Sequence, residues 1–421
     1  MPLVIVTTII ITIFAGLLAL NFTRGEKKLE HHISRLYSVS DADYSRTMGV
    51  LLGPTIVHGN RIEALLNGDE IFPAMLEAIR SANNSVTFET YIYWSETVGK
   101  QFAEALSDRA RAGVKVHLLL DWQGSDRMDE SHLSMMEQAG VQVKKFHKPK
   151  WYNLTRMNNR THRKLLVVDG RVGFTGGVGI ADQWSGNAQD PQHWRDTHYR
   201  VEGPVVAQMQ AVFLDNWIKS SGEVLHGEDY YPALSPAGNS PAQMFSSSPS
   251  GGSESMQLMY LLAITAAEDT IRLSSSYFVP DKLTIKTLTD ALLRGVKVQI
   301  ITPGEYIDAA IVRRASRALW GDLLEAGAEI YEYQPTMYHC KVMIIDALWV
   351  SVGSTNFDNR SFRINDEANL NIYDADFAAL QIINFEEDLA KSRRISLEEW
   401  QNRPYSEKMI EHAASLLGGQ L

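Results

Sequence analysis

The feature that most constrains this chain is an octet that occurs twice, at residues 162–169 and 339–346. Both copies read His-x-Lys-x-x-x-x-Asp, and six residues separate each copy from a turn of small residues, at 176–179 and 353–356. One His-x-Lys pair would be weak evidence of a site. Two copies with the same internal spacing and the same following turn indicate a duplicated unit.

The interior of each octet predicts a buried β-strand, because it is apolar and partly β-branched. Side chains alternate across a strand, so His162 shares a face with Lys164, and His339 with Lys341. An imidazole and an ammonium side by side are costly to bury unless they share an anionic partner. A phosphate group meets that need.

The elements that precede the two octets occur in the same order. Helices are predicted at 71–82, 101–112 and 130–139 and again at 256–268, 284–294 and 313–326, and strands at 85–94, 114–121, 141–146, 270–278, 296–302 and 328–333. Equivalent glycines, Gly113 and Gly295, are 295 − 113 = 182 residues apart. Alternating strands and helices predict a mixed sheet covered by helices. Because each half supplies one histidine, the site should lie where the halves meet.

Charge and motifs exclude several classes of protein. The formal net charge of −10 over 421 residues opposes non-specific binding to a polyanion such as DNA. The single cysteine, Cys340, excludes an intrachain disulfide. No CxxC or His-Glu-x-x-His pattern suggests a metal, and no Walker-type loop suggests ATP. We therefore expect neither a metal nor a cofactor.

The first stretch departs from this ordinary composition. Residues 2–20 are nearly all apolar, and the first charged side chain is Arg24. At about 1.5 Å per residue, such a run can cross a bilayer core as a helix. An uncleaved anchor at 1–24 is favoured over a cleaved signal, because no Lys or Arg precedes the run. The basic residues after it predict a cytoplasmic catalytic body, and 25–48 would be a juxtamembrane linker.

The paired octets make the chain resemble the phospholipase D superfamily, and within it the bacterial cardiolipin synthases. The resemblance runs from about Gly49 to the end and includes the segments at 89–93, 194–196, 276–281 and 354–362. It implies an α/β fold with two tandem phospholipase D-like α/β/α sandwich domains, at 49–231 and 256–421, after an N-terminal transmembrane helix. It also implies a bacterial inner-membrane location, and the apolar run predicts a single-pass anchor. The oligomeric state stays open.

Residues 232–255, between the halves, are rich in Ser, Pro and Gly. Composition alone favours a flexible linker. The resemblance instead implies a strand at 242–246 and a loop near the phosphate at 247–255.

The resemblance implies a covalent phosphohistidine, with His162 as nucleophile and His339 as general acid and then base. The sequence itself allows the reverse. Lys164 and Lys341 would hold the non-bridging oxygens. Asn356 would donate its amide to the same oxygens, with Ser354 also in the substrate-binding turn. The first turn lacks such a side chain, so backbone N–H groups of Gly176 and Gly177 would replace it.

Four carboxylates complete the predicted catalytic set. Asp169 and Asp346 end the motif strands and, by the resemblance, support the fold around the site. The resemblance implies that Asp196 and Glu367 orient the imidazoles and fix their tautomers. Their similar distances downstream of the histidines, 196 − 162 = 34 and 367 − 339 = 28 residues, support that role.

The run at 144–164 contains eight Lys or Arg residues and no acid, with aromatic residues interleaved. A solvated loop, nucleic-acid contact and anionic-lipid contact all fit, and the upstream anchor favours lipid. The leading hypothesis is a cardiolipin synthase-like phosphatidyltransferase acting on two phosphatidylglycerols, with no nucleic-acid partner. The alternatives are a hydrolytic phospholipase D, a membrane-tethered nuclease of the superfamily and, least favoured, a catalytically dead lipid-binding scaffold.

Overall fold

The computed structural model describes residues 2–23, 29, 31–146, 158–249 and 255–418, and within the first range the side chains of 5–16. The helices before residue 232 are α1 Pro2–Thr23, α2 Ala42–Leu51, α3 Asn67–Arg80, α4 Thr97–Arg111, α5 Glu130–Ala139 and α6 Val205–Ser221. The strands of this half are β1 Val57–Leu66, β2 Ser85–Thr90, β3 Lys115–Asp121, β4 Gln142–Phe146, β5 Leu165–Val168, β6 Val172–Gly176 and β7 Thr197–Glu202.

The second half repeats the pattern with additions. Its strands are β8 Ser240–Ser247, β9 Thr270–Ser275, β10 Phe278–Val279, β11 Lys297–Pro303, β12 Glu329–Tyr333, β13 Lys341–Ile345, β14 Trp349–Gly353, β15 Phe357–Asp358, β16 Glu367–Tyr373 and β17 Ser392–Ile395. Its helices are α7 Met256–Ala266, α8 Lys282–Leu293, α9 Ala310–Ala318, α10 Gly321–Glu325, α11 Asn359–Arg363, α12 Ala375–Ala390, α13 Leu397–Gln401 and α14 Tyr405–Ser415. The single helix predicted at 313–326 is wrong, since buried Trp320 lies between α9 and α10.

The two halves share one sheet. Its fifteen strands run in the order β17-β12-β11-β9-β13-β14-β16-β8-β1-β7-β6-β5-β2-β3-β4. The order β4-β3-β2-β5-β6-β7-β1 of the first half matches β12-β11-β9-β13-β14-β16-β8 of the second. Parallel pairs such as β2–β3 and antiparallel pairs such as β2–β5 confirm a mixed sheet. The mixed sheets of the two halves are continuous, because β1 and β8 pair at the centre.

The segment between the halves contributes that central strand. β8 covers the strand predicted at 242–246, and it pairs along its length with β16 in the register Glu367↔Ser247 to Ile372↔Ala242. A flexible linker is therefore the wrong description of residues 240–247. The buried side chains of Ala242 and Met244 belong to a core shared by both halves. Residues 250–254 of the predicted phosphate loop lie outside the described residues.

Each motif strand lies in the interior of the sheet. β5 is flanked by β2 and β6, and β13 by β9 and β14, with every residue of both strands buried. Their outer faces pack on helices, and glycines with positive φ, such as Gly113 and Gly295, follow the ends of α4 and α8 as predicted. This packing fixes the positions of the residues just before β5 and at the start of β13, which lie where the two halves meet.

The apolar N-terminal stretch forms α1. Its large apolar side chains within 5–16 are exposed, for example Ile10 and Ile11. Over the residues whose placement is described, no helix meets the length and apolarity needed to cross a membrane.

Candidate active site

A cavity of about 400 Å³ opens where the two halves meet. Both motif histidines and Lys164 line it, as do Asn356 and side chains that the sequence analysis had not assigned. The latter include Tyr91, Trp94, Arg127, Arg160, Trp184, Trp194, Tyr277, Asp308, Asp358 and Arg360. The cavity therefore combines contributions from both repeats, as a site built on one histidine from each half requires.

Backbone hydrogen bonds between the halves position the histidines. The N–H of His162 donates to the carbonyl of Asp366 at 2.8 Å, and the N–H of His339 donates to the carbonyl of Arg195 at 2.7 Å. Each acceptor precedes a predicted orienting carboxylate, Glu367 or Asp196. The chain thus places each histidine beside the carboxylate of the opposite half.

The side chains of the two halves also pair with each other. Nδ1 of His162 donates to Glu367 at 2.9 and 3.0 Å, and Nδ1 of His339 donates to Asp196 at 2.7 Å. The sequence analysis counted the spacing of each carboxylate from the histidine of its own half. In the structure, each carboxylate pairs with the histidine of the other half. Because the carboxylate holds the proton on Nδ1, each Nε2 is left with its lone pair. Neither half contains a complete histidine–carboxylate pair.

Burial and charge set the protonation of these groups. Burial lowers the pKa of His162 to about 4 and that of His339 to about 3, with the neighbouring lysines adding to the decrease and the carboxylates opposing it. Burial would raise the pKa of Asp196 and of Glu367, but the hydrogen-bonded imidazole and the neighbouring lysine of each carboxylate act in the opposite direction, so both pKa values are lowered. In the empty site both imidazoles are neutral and both carboxylates charged.

The two lysines lie within the same buried cluster. Lys164 Nζ donates to the His162 carbonyl at 2.8 Å and lies 5.7 Å from the centre of the Tyr91 ring. Lys341 Nζ donates to Ser276 Oγ at 2.6 Å and lies 3.3 Å from Nε2 of His339. Burial lowers the pKa of Lys164 to about 7 and also lowers the pKa of Lys341. An anion in the cavity would reverse these shifts, because it favours the charged form of each cation.

Each orienting carboxylate has its own second donor. Ser354 Oγ donates to Glu367 Oε2 at 2.5 Å, while the indole Nε1 of Trp184 donates to Asp196 Oδ2 at 3.0 Å. The placement of Ser354 in the substrate-binding set is therefore corrected: it is fully buried, and its hydroxyl supports Glu367. Trp184 supports Asp196 in the same way.

Gly176 and Gly177 also have a different part from the one predicted. The N–H of Gly177 donates to the Thr197 carbonyl at 3.1 Å and so is not directed at a phosphate. A Cβ on Gly177 would lie 2.2 Å from Asp196 Oδ1, and one on Gly176 would lie 2.6 Å from the Thr197 carbonyl. The glycines leave room for Asp196 and its strand, and neither lines the cavity.

The motif aspartates lie away from the cavity. Asp169 accepts hydrogen bonds from the backbone N–H groups of 83–85 at 2.7–3.2 Å, and Asp346 from those of 268–270 at 2.8 Å. Both have positive φ, 52° and 50°, which Asp tolerates better than most residues. Their inclusion in the catalytic set is corrected, because each ties the end of its motif strand to the start of the neighbouring strand.

Asn356 does reach the cavity. It is 5% exposed, and its Oδ1 has no hydrogen-bond partner among the described residues. An unsatisfied buried amide is costly unless a ligand completes its bonding. Its counterpart in the first half is Gly179, where a Cβ would lie 2.8 Å from Ile92 Cβ, so the first turn supplies no side-chain amide.

Sequence reasoning missed the aromatic walls. The ring of Tyr91 meets His162 edge-on at a centroid distance of 5.3 Å, and the Trp184 and Trp194 rings lie 5.2 and 5.5 Å from His339. Tyr91 follows the strand beside the motif strand, and that position was the available signal. These rings restrict water around the imidazoles. Within the described ranges, no group of three or more His, Cys, Asp or Glu side chains is arranged to hold a metal ion.

Comparison with known proteins agrees with this geometry. The family model described as "Cardiolipin synthase, PLD-like domain" matches residues 75–216 and 260–389. The chain is 34% identical over 365 residues to a cardiolipin synthase of Alkalihalophilus pseudofirmus, covering 86% of this chain and 72% of that one. It is 37% identical over 343 residues to cardiolipin synthase A of Pseudomonas fluorescens, covering 81% and 71%.

A solved structure shares the fold. The phosphatidylserine synthase of Haemophilus influenzae superposes with a TM-score of 0.65 at 14% identity, covering 90% of this chain and all of that one. The family model covers both halves, including both histidines and both orienting carboxylates. On the evidence of that match and of relatives above 30% identity, the chain belongs to the cardiolipin synthase family of the phospholipase D superfamily.

Proposed function

We propose that the chain is a phosphatidyltransferase that converts two phosphatidylglycerols into cardiolipin and glycerol. The observation that carries the proposal is the crossed pair of histidine–carboxylate units around one cavity, each with a lysine at its side. Family membership supports the lipid substrate, because the relatives are named cardiolipin synthases.

In the first step, Nε2 of His162 attacks phosphorus, and the bond between phosphorus and the glycerol oxygen breaks. Lys164 and Lys341 stabilise the non-bridging oxygens, with the Asn356 amide beside them. His339 gives its Nε2 proton to the departing glycerol oxygen. His339 has to gain that proton when the anionic lipid enters, since burial keeps the imidazole neutral in the empty cavity. Asp196 stabilises the resulting imidazolium.

In the second step, the now neutral His339 removes a proton from a glycerol hydroxyl of the second phosphatidylglycerol. The alkoxide attacks phosphorus, the bond between phosphorus and His162 breaks, and cardiolipin leaves. The protonated His339 is ready for another cycle. The phosphohistidine conserves the phosphodiester's bond energy, so the cycle needs no nucleotide.

The anchor and the inner-membrane location belong to this proposal. The exposed apolar side chains of α1 within 5–16 support a role for the helix in the bilayer, with the catalytic halves on the cytoplasmic side. The basic run at 144–164 would contact anionic headgroups, although its residues 147–157 lie outside the described part of the chain. A lipid-facing mouth would also keep water from the phosphohistidine.

The test uses the full chain with phosphatidylglycerol vesicles and mass spectrometry of the products. Cardiolipin in excess of phosphatidic acid is the expected result, and His162→Ala should form neither. Phosphatidic acid as the sole product would support the hydrolytic alternative. Cleavage of single-stranded DNA without lipid turnover would support the nuclease.

A further inference from the structure

The cavity has an uneven distribution of charge. Arg127, Arg160, Arg360 and Lys164 line it, which suits an anionic phosphodiester. Two carboxylates line it as well, although a carboxylate repels phosphate. Asp358 has a structural role, because its Oδ1 accepts from the N–H of Ser361 at 2.7 Å at the start of α11. Asp308 lacks such a helix-capping role, so its presence calls for another explanation.

Asp308 lies in the loop between β11 and α9, and its carboxylate interacts electrostatically with Lys341, whose Nζ lies 3.3 Å from Nε2 of His339. The hydroxyl of Tyr277 donates to both of its carboxylate oxygens, at 2.9 and 2.8 Å. Burial raises the pKa of Asp308, whereas Tyr277 and the charge of Lys341 act in the opposite direction. Part of Asp308 stays exposed to solvent and the residue lines the cavity, so a ligand can reach the carboxylate.

A carboxylate offers about four acceptor positions, and the Tyr277 hydroxyl together with the backbone N–H groups of Asp308 and Ala309 leaves at least one of them open. A ligand group that meets Asp308 must therefore donate hydrogen bonds. An ammonium would do so, but the arginines and lysines around the cavity repel a second cation. A neutral hydroxyl meets no such repulsion.

We propose that Asp308, held by Tyr277, binds the non-reacting hydroxyl of the glycerol group that reacts beside His339, and so selects vicinal diols as leaving group and acceptor. This inference rests on the proposed transferase function. In the first step, the carboxylate accepts a hydrogen bond from the hydroxyl next to the departing oxygen. In the second, it accepts one from the hydroxyl next to the attacking oxygen. The same contact thus serves both glycerol groups.

The experiment measures acceptor preference in the full-chain enzyme. Vesicles contain phosphatidyl-p-nitrophenol as donor, and equal concentrations of 1,2-propanediol and 1-propanol compete as acceptors. The ratio of the two phosphatidyl alcohols is read by mass spectrometry. A hydrogen bond to a charged group is typically worth about tenfold or more in such a ratio. We expect wild type to favour the diol by about that factor, and Asp308→Asn to bring the ratio to within about threefold of one.

Two further variants keep the test decisive. Tyr277→Phe should lower the ratio by a smaller factor, and it carries the test if Asp308→Asn does not fold. Glu305→Gln removes an exposed carboxylate of the same loop and should keep the wild-type ratio. A diol preference that survives both Asp308→Asn and Tyr277→Phe would overturn the inference, as would a wild type without preference. Release of p-nitrophenol with no transfer to either alcohol would instead overturn the proposed transferase.

Discussion

In the crossed pairing, the two orienting carboxylates support histidines with different roles. Isosteric variants of each carboxylate therefore test the two roles separately. Glu367→Gln removes the charge beside His162, the proposed nucleophile, and Asp196→Asn removes the charge beside His339, the proposed general acid. At a separation of about 3 Å and an effective dielectric constant of about 20, the interaction of each carboxylate with an imidazolium is about 5 kcal/mol. At about 1.4 kcal/mol per tenfold, complete loss would cost about 10⁴ in rate. Because the amide retains a hydrogen bond, we expect about 10²–10⁴.

The assay uses a leaving group that does not need a proton. Phosphatidyl-p-nitrophenol releases a stable phenolate, so the first-turnover burst in stopped flow reports attack by His162 without general-acid help. Glu367→Gln should slow this burst by about 10²–10⁴, and Asp196→Asn by less than about tenfold. On phosphatidylglycerol, whose alkoxide leaving group must be protonated, both variants should lose about 10²–10⁴.

Thermal denaturation by circular dichroism identifies variants that lose the fold, which matters because both carboxylates are fully buried. Equal loss of the burst in the two variants would refute the division of labour. A larger loss of the burst in Asp196→Asn would show that the histidine roles are reversed.

Three further predictions concern stability, pH and metals. Asp169→Ala and Asp346→Ala should each reduce the free energy of unfolding by about 1–3 kcal/mol, measured by urea denaturation, because three backbone N–H groups lose their acceptor; unchanged stability would contradict the assigned role. Phosphate affinity measured by calorimetry should fall as the pH rises through about 7, where Lys164 loses its proton, and binding at pH 8 should take up protons; affinity that is independent of pH would contradict this. EDTA should leave turnover unchanged in vesicles of fixed composition, and restoration by one divalent ion after loss would contradict a metal-free mechanism.

Local pattern predicted much of the fold and of the site. The apolar octets predicted the motif strands, and helix periods with terminal glycines predicted elements such as α5 at its observed bounds. The sequence also identified both histidines, both lysines and both orienting carboxylates, which the structure brings to one place. The strands, the histidines and the lysines follow from short-range spacing, which a single sequence displays directly, whereas the two carboxylates were assigned by the family resemblance.

Features that depend on contact between the halves were not predictable in this way. Glu367 and Asp196 each form a hydrogen bond to the histidine of the other half, about 140–205 positions away in the sequence. A pattern of neighbouring residues does not predict such contacts. For the same reason β8 resembled a linker, since its partners lie in both halves. Gly177 matched a phosphate-binding turn in composition, yet the carboxylate of Asp196 occupies the space that a side chain would need.

The most direct test of the account is to identify the residue that carries the phosphatidyl group during turnover. The full chain is mixed with phosphatidylglycerol labelled at phosphorus, quenched under alkaline conditions that preserve phosphohistidine, digested and mapped by mass spectrometry. The account predicts label on His162, accumulation of that label when the acceptor is withheld, and no label in His162→Ala. Label on His339 alone would contradict the assigned roles, and absence of label from both histidines would contradict the covalent mechanism.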